Sequence, residues 1–347
     1  MNEERVVKGR FSQIDSLISK EMVSPLLVKM KTGKMAPDLL KKLIFSNLGI
    51  KRDEVMVHSS IGEDSSVIDF GDRLCVLSTD PITGASKGIG KYAVNISCND
   101  VVSNGAEPLG VMVTLLLPEN FTEEGIASIM KEISDAATKL NVEVLGGHTE
   151  VTTAVNQVII SCTAVGMVDR DKLVTSSGAS PGDDIVLTKW AGLEGTAILA
   201  AEFEEELKRT LDPVLVDRAK EYSKYISAVR EGLIAAEYGV TAMHDVTEGG
   251  VLGAMYEMCE ASGTGAELWF DNILVREETR AICQYFKIDP LRLISSGAML
   301  ITTKDGTELT RLFDENGISA KVIGKVTEAG KNFDVVYRDE LWKVLSD

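Results

Sequence analysis

The sequence predicts a mixed α/β protein of the α+β kind in two domains, and three observations carry that expectation. Its 347 residues, at roughly 150 per domain, make about two domains, each large enough for a core of its own. Short β-type segments and helices with apolar residues three and four apart alternate through both halves, without a solenoid-like repeat. The stretch Ser176–Asp184, SSGASPGDD, is a turn-rich cluster of the kind that separates domains. The expected division is an extension over 1–36, an N-terminal domain over 37–175 and a C-terminal domain over 176–347.

In chain order, residues 1–36 carry seven basic and four acidic residues with no firm apolar period, and read as a helical or loosely packed extension. A helix starts at Pro37, which suits a first helical position, and Leu39, Leu40, Leu43 and Ile44 make its apolar face. Strands follow at Val55–Val57, Val67–Phe70 and Leu74–Ser78, separated by Gly- and Asp-rich turns. A helix over about Gly90–Asn104 leads into a buried strand, Gly110–Leu117. Thr122 caps the next helix, whose apolar residues run from Ile126 to Leu140. Strands are expected at Val142–Leu145 and Gln157–Val168. Beyond the boundary come a strand at Ile185–Thr188, long helices between Glu194 and Tyr238, and a strand at Val240–Met243. A helix from Gly250, a strand at Ala266–Phe270, a helix near Glu277–Phe286 and strands near Ala298–Thr302 and Ala320–Val326 complete the chain.

The composition excludes several functions. Apolar residues make up 44% and charged residues 26%, the balance of a soluble globular chain. The longest apolar stretch, Leu109–Leu117, is too short to span a bilayer, and MNEERVVKGR has charges where an export signal needs apolar residues. A cytoplasmic protein is expected. A net charge of −17 argues against nucleic acid, since phosphate contacts need clustered Lys and Arg. A polyanion such as ATP remains compatible with an acidic protein when a divalent metal bridges the two. The five cysteines stand at least 23 positions apart, which suits buried, reduced thiols rather than zinc ligands or a disulfide framework.

Chemistry is expected where acids and glycines meet strand ends. Asp64 lies in Gly62-Glu63-Asp64-Ser65-Ser66, Asp80 in Ser78-Thr79-Asp80-Pro81, and Asp100 in Asn99-Asp100 on a weakly charged helix. Carboxylates converging from separate segments are what Mg²⁺ needs, because it takes hard oxygen ligands and shares the rest of its shell with phosphates. Any one of these acids alone reads as an ordinary turn or cap; the set does not. Gly146-Gly147-His148-Thr149-Glu150 follows a predicted strand, and paired glycines let a backbone approach a ligand closely. His244-Asp245-Val246-Thr247-Glu248-Gly249-Gly250 joins a strand to a helix whose first N–H groups face outward. Ser295-Ser296-Gly297 is a further turn of this kind. No GxxxxGK[ST] and no GxGxxG occurs. His58 is given no role, and the run Glu202, Glu204, Glu205 and Glu206 reads as a solvated helix face.

Taken together, IGEDSSVIDFGD, LSTDPITG, YAVNISCNDVVSNGAEPLGVMVTLLLPE, LGGHTEV, SSGASPGDDIVLTKWAGLEGTAIL, MHDVTEGGVLGAMYEM and ISSGAML resemble, in order, the AIR synthase-related (PurM-like) ATP-binding superfamily. Its members include aminoimidazole ribonucleotide synthetase, selenophosphate synthetase, thiamine-monophosphate kinase and the hydrogenase-maturation protein HypE. The look is nearest to HypE, through NDVVSNGAEPLG, SGASPGDDIVLT and HDVTEGG. The resemblance implies an N-terminal domain that pairs with that of a second subunit, and a C-terminal domain that closes over ATP and Mg²⁺. It implies metal–phosphate ligands at Asp64, Asp80, Asp100 and Asp245. Asn99 would help hold the nucleotide, together with the GGxT segment of Gly146, Gly147 and Thr149. Catalytic roles would fall to Asp100, His148 and Asp245.

The sequence departs from that pattern at two places. His148 stands where many relatives have Asp or Glu, which reduces the metal set or shifts it to Glu150; the selenophosphate synthetases share GGH. HypE proteins carry a terminal Cys, whereas no Cys follows Cys283 here, and the early catalytic Cys and Lys of the selenophosphate synthetases are also missing. The expectation is a homodimeric ATP- and Mg²⁺-dependent enzyme that transfers a phosphoryl group to an oxygen of a small substrate. That substrate would lodge between Gly146–Glu150 and His244–Gly250, with no cysteine as acceptor. Two rivals stand beside it: a hydrogenase-maturation dehydratase using the thiol of a maturation partner, and a nucleotide-binding assembly or regulatory protein without turnover.

Overall fold

The computed structural model describes residues 32–334 and 338–346, so most of the expected extension, 1–31, lies outside the described residues. Two β-sheets organise the rest. The first has the strand order β1-β2-β3-β6-β4-β5, from β1 (Val55–Val57), β2 (Ser66–Asp69), β3 (Leu74–Ile82), β4 (Glu107–Leu117), β5 (Glu143–Val151) and β6 (Ile159–Val168). Every pairing in it is antiparallel except β4 with β5. Helices α1 (Ile89–Ser103) and α2 (Glu123–Leu140) pack over one face. Thr122 caps α2 as expected, its hydroxyl accepting from the Gly125 N–H at 3.1 Å.

Alternation along the strands divides the sheet into two unlike faces. Leu74, Val76, Val111, Val113, Leu115, Leu117, Cys162 and Ala164 are buried toward the helices. Met112 and Met167, on the opposite face, are 50% and 36% exposed. The apolar strand β4 is thus covered on one side only.

The second sheet has the order β8-β10-β7-β11-β9 and is antiparallel throughout. It comprises β7 (Asp184–Thr188), β8 (Ala242–Asp245), β9 (Gly265–Leu268), β10 (Met299–Thr303) and β11 (Ala320–Thr327). The long helical region expected after Glu194 is broken into α3 (Leu193–Glu202), α4 (Glu204–Leu207), α5 (Pro213–Lys220) and α6 (Val229–Tyr238). The break before α5 has a local cause: Pro213 cannot continue a preceding helix, and Asp212 caps the new one through the Val214 N–H at 2.9 Å. Helix α7 (Gly250–Ser262) packs its Ala254, Met255, Met258 and Cys259 with Ile185, Leu187 and Leu300 of the sheet. On the other face Val186, Met299 and Ile301 meet α3, α6 and α9 (Gly306–Glu315). Helix α8 (Glu277–Phe286) matches its expected span, whereas α9 and α10 (Leu341–Leu345) were not foreseen.

Three expected strand boundaries are corrected. β3 runs on through Asp80 and Pro81 to Ile82, and β8 begins later and ends on Asp245. β5 runs through Gly146–Glu150 to Val151, so this segment is not a turn. The cause is the parallel ladder with β4, which holds register from Gly110–Glu143 to Leu117–Val151 with a bulge at Leu145. Gly147 is needed there: its φ is +150°, and a Cβ would stand 1.8 Å from the Val113 carbonyl oxygen.

Candidate metal and phosphate site

The site is assembled where β3, α1, β8 and the loop before β2 meet. On β3 the residues Ser78, Asp80 and Ile82 share the helix-covered face. Asp100 sits opposite them on α1, 3% exposed, and the Ser78 hydroxyl donates to its Oδ2 at 2.6 Å. Burial, then the charges of Asp80, Asp245 and Asp64, push the Asp100 carboxyl well above its ordinary range. Asp245, the last residue of β8, is completely buried, and neither carboxylate oxygen has a hydrogen-bond donor. Burial and the neighbouring Asp64 and Asp80 drive it up to about 8, against the opposing pull of His244 and Lys34. The four acids expected from separate segments therefore do converge.

His244 organises one side of the cluster. Its Nδ1 lies 2.6 Å from the Asp245 carbonyl oxygen, and its Nε2 faces Asp64 at 3.2 Å and Glu257 at 3.4 Å. Burial alone would lower its pKa. The charges of Asp64, Glu257 and Asp245 win, and raise it to about 10. The shift favours the charged ring, whose Nε2 sits within ion-pair distance of both carboxylates without a hydrogen bond to either. Ligand atoms of Asp64, His244 and Asp245 all lie within 4.8 Å of one another. Of the three, Asp64 and Asp245 offer the hard oxygen atoms that a divalent cation takes.

Sequence reasoning missed Lys34, Glu257 and the role of His244. The Lys34 ammonium is 2.8 Å from Glu257, and its backbone N–H donates to Glu248 Oε2 at 2.8 Å. Burial would lower the Lys34 pKa, but Glu257, Asp64 and Glu248 raise it above the usual lysine range. Glu257 is buried too, yet Lys34 and His244 hold it down at about 2. For Lys34 the one signal in the sequence was Gly33-Lys34 shortly before the helix-starting Pro37. For Glu257 the signal was an acid set among the apolar residues of α7. Lys34, Asp64, Glu248 and Glu257 help to line a pocket of about 210 Å³, open on one side.

Other expected residues lie elsewhere. Asn99 is buried, and its side chain holds backbone on both sides, donating to the Ile226 carbonyl at 2.8 Å and accepting from the Ala228 N–H at 2.7 Å. Gly146, Gly147, His148 and Thr149 are on the edge strand β5. The register links Asp80 to Cys162, Cys162 to Val113 and Val113 to Gly147. Three strand spacings separate them, roughly 14 Å. Gly147 and Thr149 are in register with the buried Val113 and Leu115, whereas His148 and Glu150 alternate onto the open face and pair with each other at 3.5 Å.

The fold and site together define a class of α/β protein with two sheets and buried carboxylates gathered where β3, α1 and β8 meet. Comparison with known families gives the particular one. Residues 62–168 match the N-terminal domain model of AIR synthase related protein, and residues 180–336 match the C-terminal domain model. The chain is 31% identical over 316 residues to a Methanocaldococcus jannaschii protein named for hydrogenase expression/formation, covering 86% of this chain and 90% of that one. It is 28% identical to the carbamoyl dehydratase HypE of Cupriavidus necator, covering 87% and 85%. Among solved structures, ThiL complexed with AMPPCP and TMP superposes with a TM-score of 0.70 at 20% identity, covering 89% of this chain and 98% of that one. This chain belongs to the AIR synthase related family.

Proposed function

We propose that this protein is an ATP- and Mg²⁺-dependent enzyme that transfers a phosphoryl group to an oxygen of a small substrate, either as simple phosphorylation or to drive a dehydration. The observation that carries the reading is Asp245, whose two buried carboxylate oxygens lack any donor amid Asp64, Asp80 and Asp100. Buried acids without donors fit a hard divalent cation and little else. Asp64, Asp80, Asp100 and Asp245 would hold Mg²⁺, which when bound neutralises phosphate charge. The chain's own groups do the rest. Ser78 orients Asp100. The cations Lys34 and His244 offset part of the negative charge of Glu257 and Asp64.

The dehydratase reading is the second one, favoured by the relatives named for hydrogenase formation. Cys98, Cys162, Cys259 and Cys283 are all buried, which agrees with a thiol supplied by a maturation partner. The half-covered first sheet supports a homodimer formed through its open face around Met112 and Met167, within two N-terminal halves of 37–175. No helix among the described residues is long and apolar enough to cross a membrane.

Calorimetry with ATP in Mg²⁺ and in EDTA tests the central claim, and equal affinity in the two would sink it. ATP turnover by the purified protein, alone and with candidate small substrates or a thiol-bearing partner, separates the enzymatic readings from a binding protein without turnover. Light scattering at micromolar concentration is expected to give twice 37.5 kDa.

A further inference from the structure

The start of α1 carries an amine that the metal–phosphate reading does not use. Lys91 is the third residue of that helix and is half-buried. Its Nζ donates to the Ser223 hydroxyl at 3.4 Å and makes no ion pair among the described residues. Two further lysines come near it, Lys139 from the last turn of α2 and Lys224 from the helical turn Glu221–Tyr225. One acid, Glu132, acts on it by charge, but Glu132 Oε2 already accepts from the Gly90 N–H at 3.0 Å. Lys224 is itself paired with Glu221. The first turn of α1 holds no acid, and the helix dipole disfavours a cation there.

Burial first, then the charges of Lys139 and Lys224, bring Lys91 down to about 8, with Glu132 opposing. At pH 8 about half of it is then free amine, against under about one per cent of an ordinary lysine. Lys189 is lowered too, but it is no nucleophile. Its ammonium is locked against the carbonyls of Tyr225, Ser227 and Gly297 and against Glu231 at 2.7 Å. Lys91 is partly open instead, and beside it stand Lys139 and Lys224, both exposed. Two fixed cations next to a neutral amine draw in an electrophile that is itself an anion.

We propose that Lys91 is an acylation site, taking its acyl group from an acyl phosphate whose phosphate end is attracted by Lys139 and Lys224. The Lys91 nitrogen attacks the acyl carbon and a C–N bond forms. The bond from that carbon to the phosphate oxygen breaks, inorganic phosphate leaves, and the amine proton passes to solvent. The product is a neutral amide. It ends the repulsion among the three lysines and removes the charge from the start of the helix that carries Asn99 and Asp100.

The test is timed exposure of the folded full chain to acetyl phosphate across a pH series, with the modified sites counted by peptide mass spectrometry. Lys51, which is exposed and makes no ion pair among the described residues, is the internal standard. Near pH 7.5 Lys91 is expected to acetylate at least tenfold faster than Lys51. Its rate should level off above about pH 8, where the amine is already free, while that of Lys51 still climbs. Combining Lys139→Gln with Lys224→Gln, two surface changes, should cut the advantage severalfold, and so should high salt. A Lys91 rate no faster than that of Lys51, a rate that climbs in parallel with it through the whole series, or an advantage untouched by the double substitution would each overturn the proposal.

Discussion

Glu194→Gln should leave the protein more stable than the wild type at pH 8 and nearly equal to it at pH 5. A carboxyl whose pKa rises on folding is held protonated in the native state while the unfolded chain releases its proton. Stability therefore falls as pH climbs through the window between the two values. For Glu194 that window runs from 4.5 to about 7. At 1.36 kcal/mol per pH unit, the full cost reached above pH 7 is about 3 kcal/mol, and at pH 5 it is below about 1 kcal/mol. Since the residue is completely buried, solvent screening does not reduce it. Glutamine is neutral throughout and escapes the cost. All other titrating groups are shared, so the difference between the two proteins isolates this one. Urea unfolding of both at pH 5 and pH 8, compared at equal slope, measures it. A gap that does not change with pH, or a variant less stable at pH 8, would show that burial does not hold the Glu194 carboxyl protonated.

Three further outcomes are expected. Asp80→Asn and Asp100→Asn should each weaken Mg²⁺-dependent nucleotide binding tenfold or more while the circular dichroism spectrum is retained, as followed by calorimetry. Gly147→Ala should destabilise the fold by about 2 kcal/mol or more, read as a lower urea midpoint, because a Cβ there collides with the Val113 carbonyl in a backbone region hostile to side chains. Thiol titration of the native protein should show at most one accessible group, the half-buried Cys75, with the other four appearing only in denaturant; their pKa values are all pushed up by burial.

Elements with a strong period or cap were legible from residues alone. Glu277–Phe286 was read to the residue, and Thr122 as the cap of α2. The four aspartates were legible because each stands in a Gly- or Asn-flanked segment, or in a weakly charged helix, where a surface role does not account for it. What escaped was set by tertiary pairing. Gly146-Gly147 has turn chemistry, but β4 recruits it into a ladder. Asn99 is adjacent to Asp100, yet one helix position rotates it by about 100° toward the 226–228 backbone. Lys34 belongs to a segment without period, and long-range contacts with Glu257 and Glu248 assign it a place. His244 could be seen in its motif, but its protonation depends on acids 180 and 13 positions away, Asp64 and Glu257.

Helix α1 has a consequence for how the gene tolerates interruption. Fourteen of its fifteen residues are buried, because β3 and β6 cover one side while α6 and β8 cover the other. The first half alone would present Val101, Val102 and Asn99 to water, and the second half alone would lose the groups that fix the Ile226–Ala228 backbone. A protease cutting the exposed Pro181-Gly182 turn would therefore leave two fragments that travel together through gel filtration. Two separately translated pieces broken at that turn would depend on meeting before either aggregates. The boundary visible in the sequence is a place where the chain can be cut, not a place where the molecule comes apart.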